Sequence, residues 1–111
     1  MQNNNDKEIK EVKKILNNYK NSLQKDGVVI KDMILYGSFA RGQQGSYSDI
    51  DVCIVSDNFS DNEKLENFLR KKVLEVDIRI EPIVYHAEDF NEVDPLVHEI
   101  KKYGVSIFSS A

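Results

Sequence analysis

The sequence predicts a small α/β (α+β) domain, with helices packed against one mixed β-sheet. Three observations carry this. Apolar residues recur at three- and four-residue spacing in three stretches, as on amphipathic helices. Between them lie short runs of β-branched and aromatic residues, bounded by Gly, Asp and Asn, as strands are. The chain has 111 residues, 41% hydrophobic and 31% charged, which suits a single domain over 1–111 with one core.

Taken in order, residues 1–5 are polar and Asn-rich and read as a flexible tail. Ile9, Val12, Leu16, Tyr19 and Leu23, with Ile15 beside them, predict a helix over 6–25. Gly27 suits the left-handed position past its end. The run 28–36 predicts a strand ending at a Gly37 turn. Ser38 can cap a short helix reaching Arg41, and 42–46 is a loop by composition. The second strand, 49–55, alternates with period two. Asp49, Asp51 and Cys53 take one face, and Ile50, Val52 and Ile54 the other. Asp57-Asn58 makes a turn, and Ser60 with Glu63 has capping-box spacing. Leu65, Phe68, Leu69 and Val73 predict a helix over 61–74.

A third strand is predicted over 76–85, with Ile78 and Ile80 on one face and Asp77, Arg79 and Glu81 on the other. Pro82 cannot donate to a ladder, which places this strand at an edge or kinks it. Asp94-Pro95 reads as an N-cap followed by proline in the first helical position. Leu96, Ile100 and Tyr103 line one face of that helix, Gly104 ends it, and 105–108 adds a short last strand.

Composition narrows the function. No apolar run approaches the ~20 residues of a membrane span, and the N-terminus has no signal-peptide pattern. The single cysteine, Cys53, forms no internal disulfide, as expected in a reducing cytoplasm. Net charge is −4 and the basic residues are dispersed, so no template nucleic acid is expected. His86 and His98 have no companion at metal-ligand spacing and read as solvated.

The stretch that carries chemistry is Leu35-Tyr36-Gly37-Ser38-Phe39-Ala40-Arg41-Gly42, followed by Ser48-Asp49-Ile50-Asp51-Val52. A glycine turn lets backbone approach an oxyanion. A helix starting at Ser38 would aim free N–H groups and a positive dipole end at a phosphate. The guanidinium of Arg41, one turn on, can reach distal phosphates. Asp49 and Asp51 lie on one strand face and can both ligate Mg²⁺, which prefers carboxylates and keeps several waters. Glu81, on the polar face of the neighbouring strand, is the candidate third acid of a metal site.

Gly37-Ser38, ten residues, then Asp49-x-Asp51 resembles the nucleotidyltransferase superfamily related to DNA polymerase beta, in particular its minimal members. The resemblance covers about residues 28–85 by element order. It implies the nucleotidyltransferase fold and transfer of a nucleoside monophosphate from ATP, with Mg²⁺, to an acceptor hydroxyl. Gly37, Ser38 and Arg41 would bind the nucleotide. Asp49, Asp51 and Glu81 would be the catalytic and metal-holding acids. Many members have aspartate at the third position, so Asp77 is the alternative to Glu81. Minimal members often act as antitoxins of a HEPN-type toxin, some by placing AMP on a tyrosine. The implied partner is therefore a HEPN-type protein. The alternative is a non-catalytic antitoxin that neutralises its partner by complex formation.

Overall fold

Residues 4–43, 48–58 and 62–110 are described by the computed structural model. The first predicted helix is α1, Asn4–Lys25. It begins inside the expected tail, since polar residues suit a first helical turn whose N–H groups need no core partner. Its apolar stripe buries Val12, Leu16, Tyr19 and Leu23. The Tyr19 hydroxyl donates to the Leu69 carbonyl at 2.7 Å, which ties α1 to α2, Asn62–Val76. Gly27 ends α1 with φ +94°. Ser60, of the predicted capping box, and the loop positions 44–46 lie outside the described residues.

The first strand, β1, is Asp32–Tyr36 and shorter than predicted. Residues 28–31 are held by other bonds: Val28 N–H donates to the Leu23 carbonyl, and Val29 N–H to the Asn58 side chain. The remaining strands are β2, Ile50–Val55, β3, Ile80–Tyr85, and β4, Val105–Ser109. The sheet order is β3-β2-β1-β4. β1 runs antiparallel to β2 and β4, whereas β2 and β3 are parallel across the α2 crossover. Pro82 accordingly lies on an outer strand, opposite Val52.

The third strand starts later than predicted. Asp77 and Arg79 belong to a turn, because the Asp77 carboxylate accepts from the Arg79 backbone N–H at 2.9 Å and from its guanidinium at 3.0 and 3.1 Å. Ile80 N–H then donates to the Asp77 carbonyl. A side chain that captures nearby backbone donors in this way displaces ladder pairing.

The main core lies between one sheet face and the helices α1 and α2, where Met33, Leu35, Ile50, Val52, Ile54, Ile80 and Val84 meet Leu16, Leu65 and Leu69. The last helix, α3, Pro95–Tyr103, packs against β1. Its N-cap Asp94 accepts from Leu96 N–H at 2.8 Å and from the Tyr85 hydroxyl at 2.9 Å, which pins the helix to β3. Its buried residues are Val97 and Ile100, not the predicted Leu96 and Tyr103. Tyr103 remains 49% exposed. At Gly104 a Cβ would run into the Ile100 carbonyl and the Ile34 side chain, so only glycine lets β4 enter here. The second face of β2 is closed as well, with Cys53 fully buried. Among the described residues no helix is long and apolar enough to cross a membrane.

Candidate active site

The acids gather at the end of the sheet where β2 and β3 both begin. Asp51 is the second residue of β2; its register partners are Tyr36 on β1 and Glu81 on β3. Register partners share a sheet face, so a phenol and two carboxylates form a row across three strands. Asp49 directly precedes β2 and is exposed. Between the two aspartates, Ile50 N–H donates to the Arg79 carbonyl at 2.7 Å, which fixes the start of β2 against that of β3.

Electrostatics confirm the crowding. The Asp51 carboxyl is pushed above the usual aspartate range by burial first, then by the charges of Asp49 and Glu81. The Tyr36 phenol is raised by burial, then by Asp51, with Cys53, Tyr85 and Glu81 contributing less. Asp77 behaves in the opposite way. Its hydrogen bond to Arg79 holds its carboxyl below the usual range. Arg79 is thus engaged by Asp77, and Glu81 is the acid that the register sets beside Asp51.

Gly37 is backed directly against Asp51. Its φ is +76°, and a Cβ there would collide with the Asp51 carboxylate and stand 3.2 Å from its Cγ. The predicted short helix after Ser38 is not formed. Residues 37–42 make a turn closed by bonds of mixed span: Arg41 N–H to Gly37, Gly42 N–H to Phe39 and Gln43 N–H to Ser38 carbonyls. A second positive φ, +69° at Gly42, stops helical continuation. The donors of these three bonds are Arg41, Gly42 and Gln43, not the N–H groups of Ser38, Phe39 or Ala40. Phe39 is a core residue.

Arg41 is drawn toward the end of α3. Its Nη2 pairs with Glu99, and its guanidinium lies 4.7 Å from the centroid of the Tyr103 ring. A cleft of about 350 Å³ beside it is lined by Arg41, Gln43 and Tyr103. Sequence reading missed Glu99 and placed Tyr103 in the apolar stripe. Their spacing of four residues along a helix, which sets side chains on one face, was the available signal.

Among the described residues no group of three His, Cys, Asp or Glu side chains converges into a ready-made metal cage. The donor set nevertheless suits Mg²⁺, which takes one or two carboxylates and retains water. The like charges crowding Asp51 are those a cation would relieve. The histidines are engaged elsewhere: Nδ1 of His86 lies 3.5 Å from Asp57, and Nδ1 of His98 lies 3.4 Å from Glu92. The buried Cys53 thiol is pushed up to about 12 by burial.

Residues 9–107 match the family model of the nucleotidyltransferase domain. Two curated relatives from Methanocaldococcus jannaschii are named as protein adenylyltransferases. MJ1379 is 38% identical over 78 residues, 65% of this chain and 77% of its own length. MJ0141 is 28% identical over 104 residues, 87% of this chain and 99% of its own. Among solved structures, a toxin–antitoxin complex with AMP-PNP matches at TM-score 0.55 and 20% identity, over 84% of this chain and 73% of that one. A mutant of the toxin–antitoxin pair MntA–HpeT matches at TM-score 0.57 and 16% identity, over 85% of this chain and 73% of that one. These two likenesses show a shared fold.

Proposed function

This chain belongs to the nucleotidyltransferase domain family, and from that premise we propose that it transfers AMP from ATP to a hydroxyl on a partner protein. The observation that carries this is the Asp51–Glu81 register pair beside Asp49, with Gly37 packed against the Asp51 carboxylate. The Gly37–Ser38 turn, with Arg41, holds the triphosphate. Asp49 and Asp51 hold Mg²⁺, which when bound offsets phosphate charge; Glu81 is the third acid of the set. The acceptor oxygen attacks the α-phosphorus, the bond to the bridging oxygen of the β-phosphate breaks, and pyrophosphate leaves. Glu81 receives the acceptor proton.

The names of the relatives as protein adenylyltransferases support a protein acceptor. Solved neighbours that are toxin–antitoxin complexes support a toxin as that acceptor; on the resemblance carried by Gly37-Ser38 and Asp49-x-Asp51, that toxin is proposed to be a HEPN-type protein, met in the cytoplasm. The test is to incubate the chain with labelled ATP, Mg²⁺ and the protein product of its neighbouring gene. The expected result is a mass gain of one AMP on the partner. Asp49→Asn and Asp51→Asn each lower the rate at least ~100-fold, since one electrostatic element contributes about 2.7 kcal/mol or more to the transition state. Unchanged labelling in both variants rules out this site.

The open donor set favours a second reading, an antitoxin that acts by complex formation alone. A double Asp49→Ala, Asp51→Ala variant separates the two. Under the catalytic reading it fails to neutralise; under the binding reading it still neutralises at stoichiometric dose.

A further inference from the structure

We infer that Tyr103 and Glu99 are positioning residues that hold Arg41 ready for the phosphate chain. The inference rests on the reading of Arg41 as a nucleotide ligand and adds a role for the end of α3. Three observations carry it. The guanidinium of Arg41 is engaged on two sides, by the Tyr103 ring at 4.7 Å and by Glu99 at Nη2. The Glu99 contact is made at Nη2, and the guanidinium fork has further donors at Nε and Nη1 to offer an oxyanion. The cleft of about 350 Å³ has Arg41, Gln43 and Tyr103 as its walls.

The platform is well anchored. Tyr103 is the last residue of α3, one turn beyond the buried Ile100, and Gly104 N–H donates to the Ile100 carbonyl at 2.8 Å. Arg41 itself sits in a turn and keeps 37% of its side chain exposed. An arginine in that setting must freeze several rotors before it can grip a phosphate. Stacking and the ion pair freeze them in the unliganded protein, so ordering does not fall on the binding step. Lys102, whose Nζ lies 5.3 Å from the Tyr103 ring centroid, adds positive charge that offsets Glu99 at this corner.

The experiment is calorimetric titration of the full chain with AMP-PNP and Mg²⁺, with no acceptor present. Tyr103→Ala is expected to weaken binding about fivefold, the range of one exposed cation–π contact, and Tyr103→Phe to stay within about twofold. In an Arg41→Ala background, Tyr103→Ala adds no further loss, because its effect runs through Arg41. The NMR signal of the Arg41 Nε–H is expected to be sharp in the wild type and in Tyr103→Phe. It broadens in Tyr103→Ala and in Glu99→Gln, the latter a surface change that serves if Tyr103→Ala does not fold. Unchanged affinity in Tyr103→Ala, or an unchanged Arg41 signal in Glu99→Gln, overturns the positioning role. So does an equal loss in the Arg41→Ala background, which would mean that the ring touches nucleotide directly. A wild type that binds no AMP-PNP overturns the nucleotide site itself.

Discussion

Gly37→Ala tests the contact between the turn and the carboxylate. Two effects add at this position. An L-residue in the left-handed region, at φ +76°, costs roughly 1–2 kcal/mol. The new Cβ also meets the Asp51 carboxylate, and overpacking of this kind costs about 1–3 kcal/mol. Gly27→Ala is the control, since Gly27 has φ +94° but nothing within 4 Å of the place a Cβ would take. It carries the backbone strain alone. At an unfolding entropy near 2.1 cal/mol/K per residue, 1 kcal/mol shifts the melting midpoint of a chain this size by about 4 °C. Gly37→Ala should therefore melt about 9–20 °C lower than the wild type, and Gly27→Ala about 4–9 °C lower. Scanning calorimetry measures both. In transfer assays run below its midpoint, Gly37→Ala should lose as much rate as Asp51→Asn, because the carboxylate has been displaced; Gly27→Ala should retain its rate. Equal midpoints for the two alanine variants would refute the contact.

Two further predictions concern charge. Asp51→Asn removes repulsion from Asp49 and Glu81, so at neutral pH the metal-free variant should melt above the wild type. Added Mg²⁺ should raise the midpoint of the wild type and not that of the variant, because only a state that binds the ion is stabilised by it; a rise of equal size in both would discount Asp51 as a ligand. Asp77 has its carboxyl depressed by Arg79. A depressed acid contributes stability above its unfolded value, about 3.9, and loses it as pH falls through the lower folded value. Asp77→Asn should therefore melt below the wild type at pH 7, and the two midpoints should converge as pH drops below about 3.9; a constant gap would assign the effect to packing instead.

What could be read from the residues was local. The α1 stripe, the Asp94-Pro95 start of α3 and the edge position of Pro82 follow from periodicity and from donor chemistry within a few residues. So does the placement of Asp49 and Asp51 at the head of a strand. The misreadings arose where two local preferences competed. At 77–79 alternation pointed to a strand, but the Asp77 carboxylate captured Arg79 and made a turn. After Ser38, capping chemistry pointed to a helix, but glycines with positive φ at both ends of 37–42 limited it to a turn. In α3, Leu96 and Val97 are adjacent and both apolar, so the phase of the buried stripe was undetermined until the sheet selected Val97. The pairing of Arg41 with Glu99 spans 58 residues, and no local pattern reports it. The same holds for β4 lying beside β1.

The row of Tyr36, Asp51 and Glu81 occupies the more exposed end of a sheet face on which Cys53, two residues farther along β2, is fully buried, and α3 packs against β1. That division has an electrostatic reason. A carboxylate crowded by two like charges and fully withdrawn from water would be protonated or strongly destabilising. Asp51 is only partly buried, and Glu81 is exposed, so both acids keep water as an alternative partner; on the proposed function, a cation and phosphates would take its place. The exclusion of water that strengthens charge interactions during transfer must then come from whatever covers this end. On the proposed function the acceptor protein supplies that cover together with its hydroxyl. Chemistry is thereby tied to the arrival of the right partner, because the described residues leave the site open in its absence.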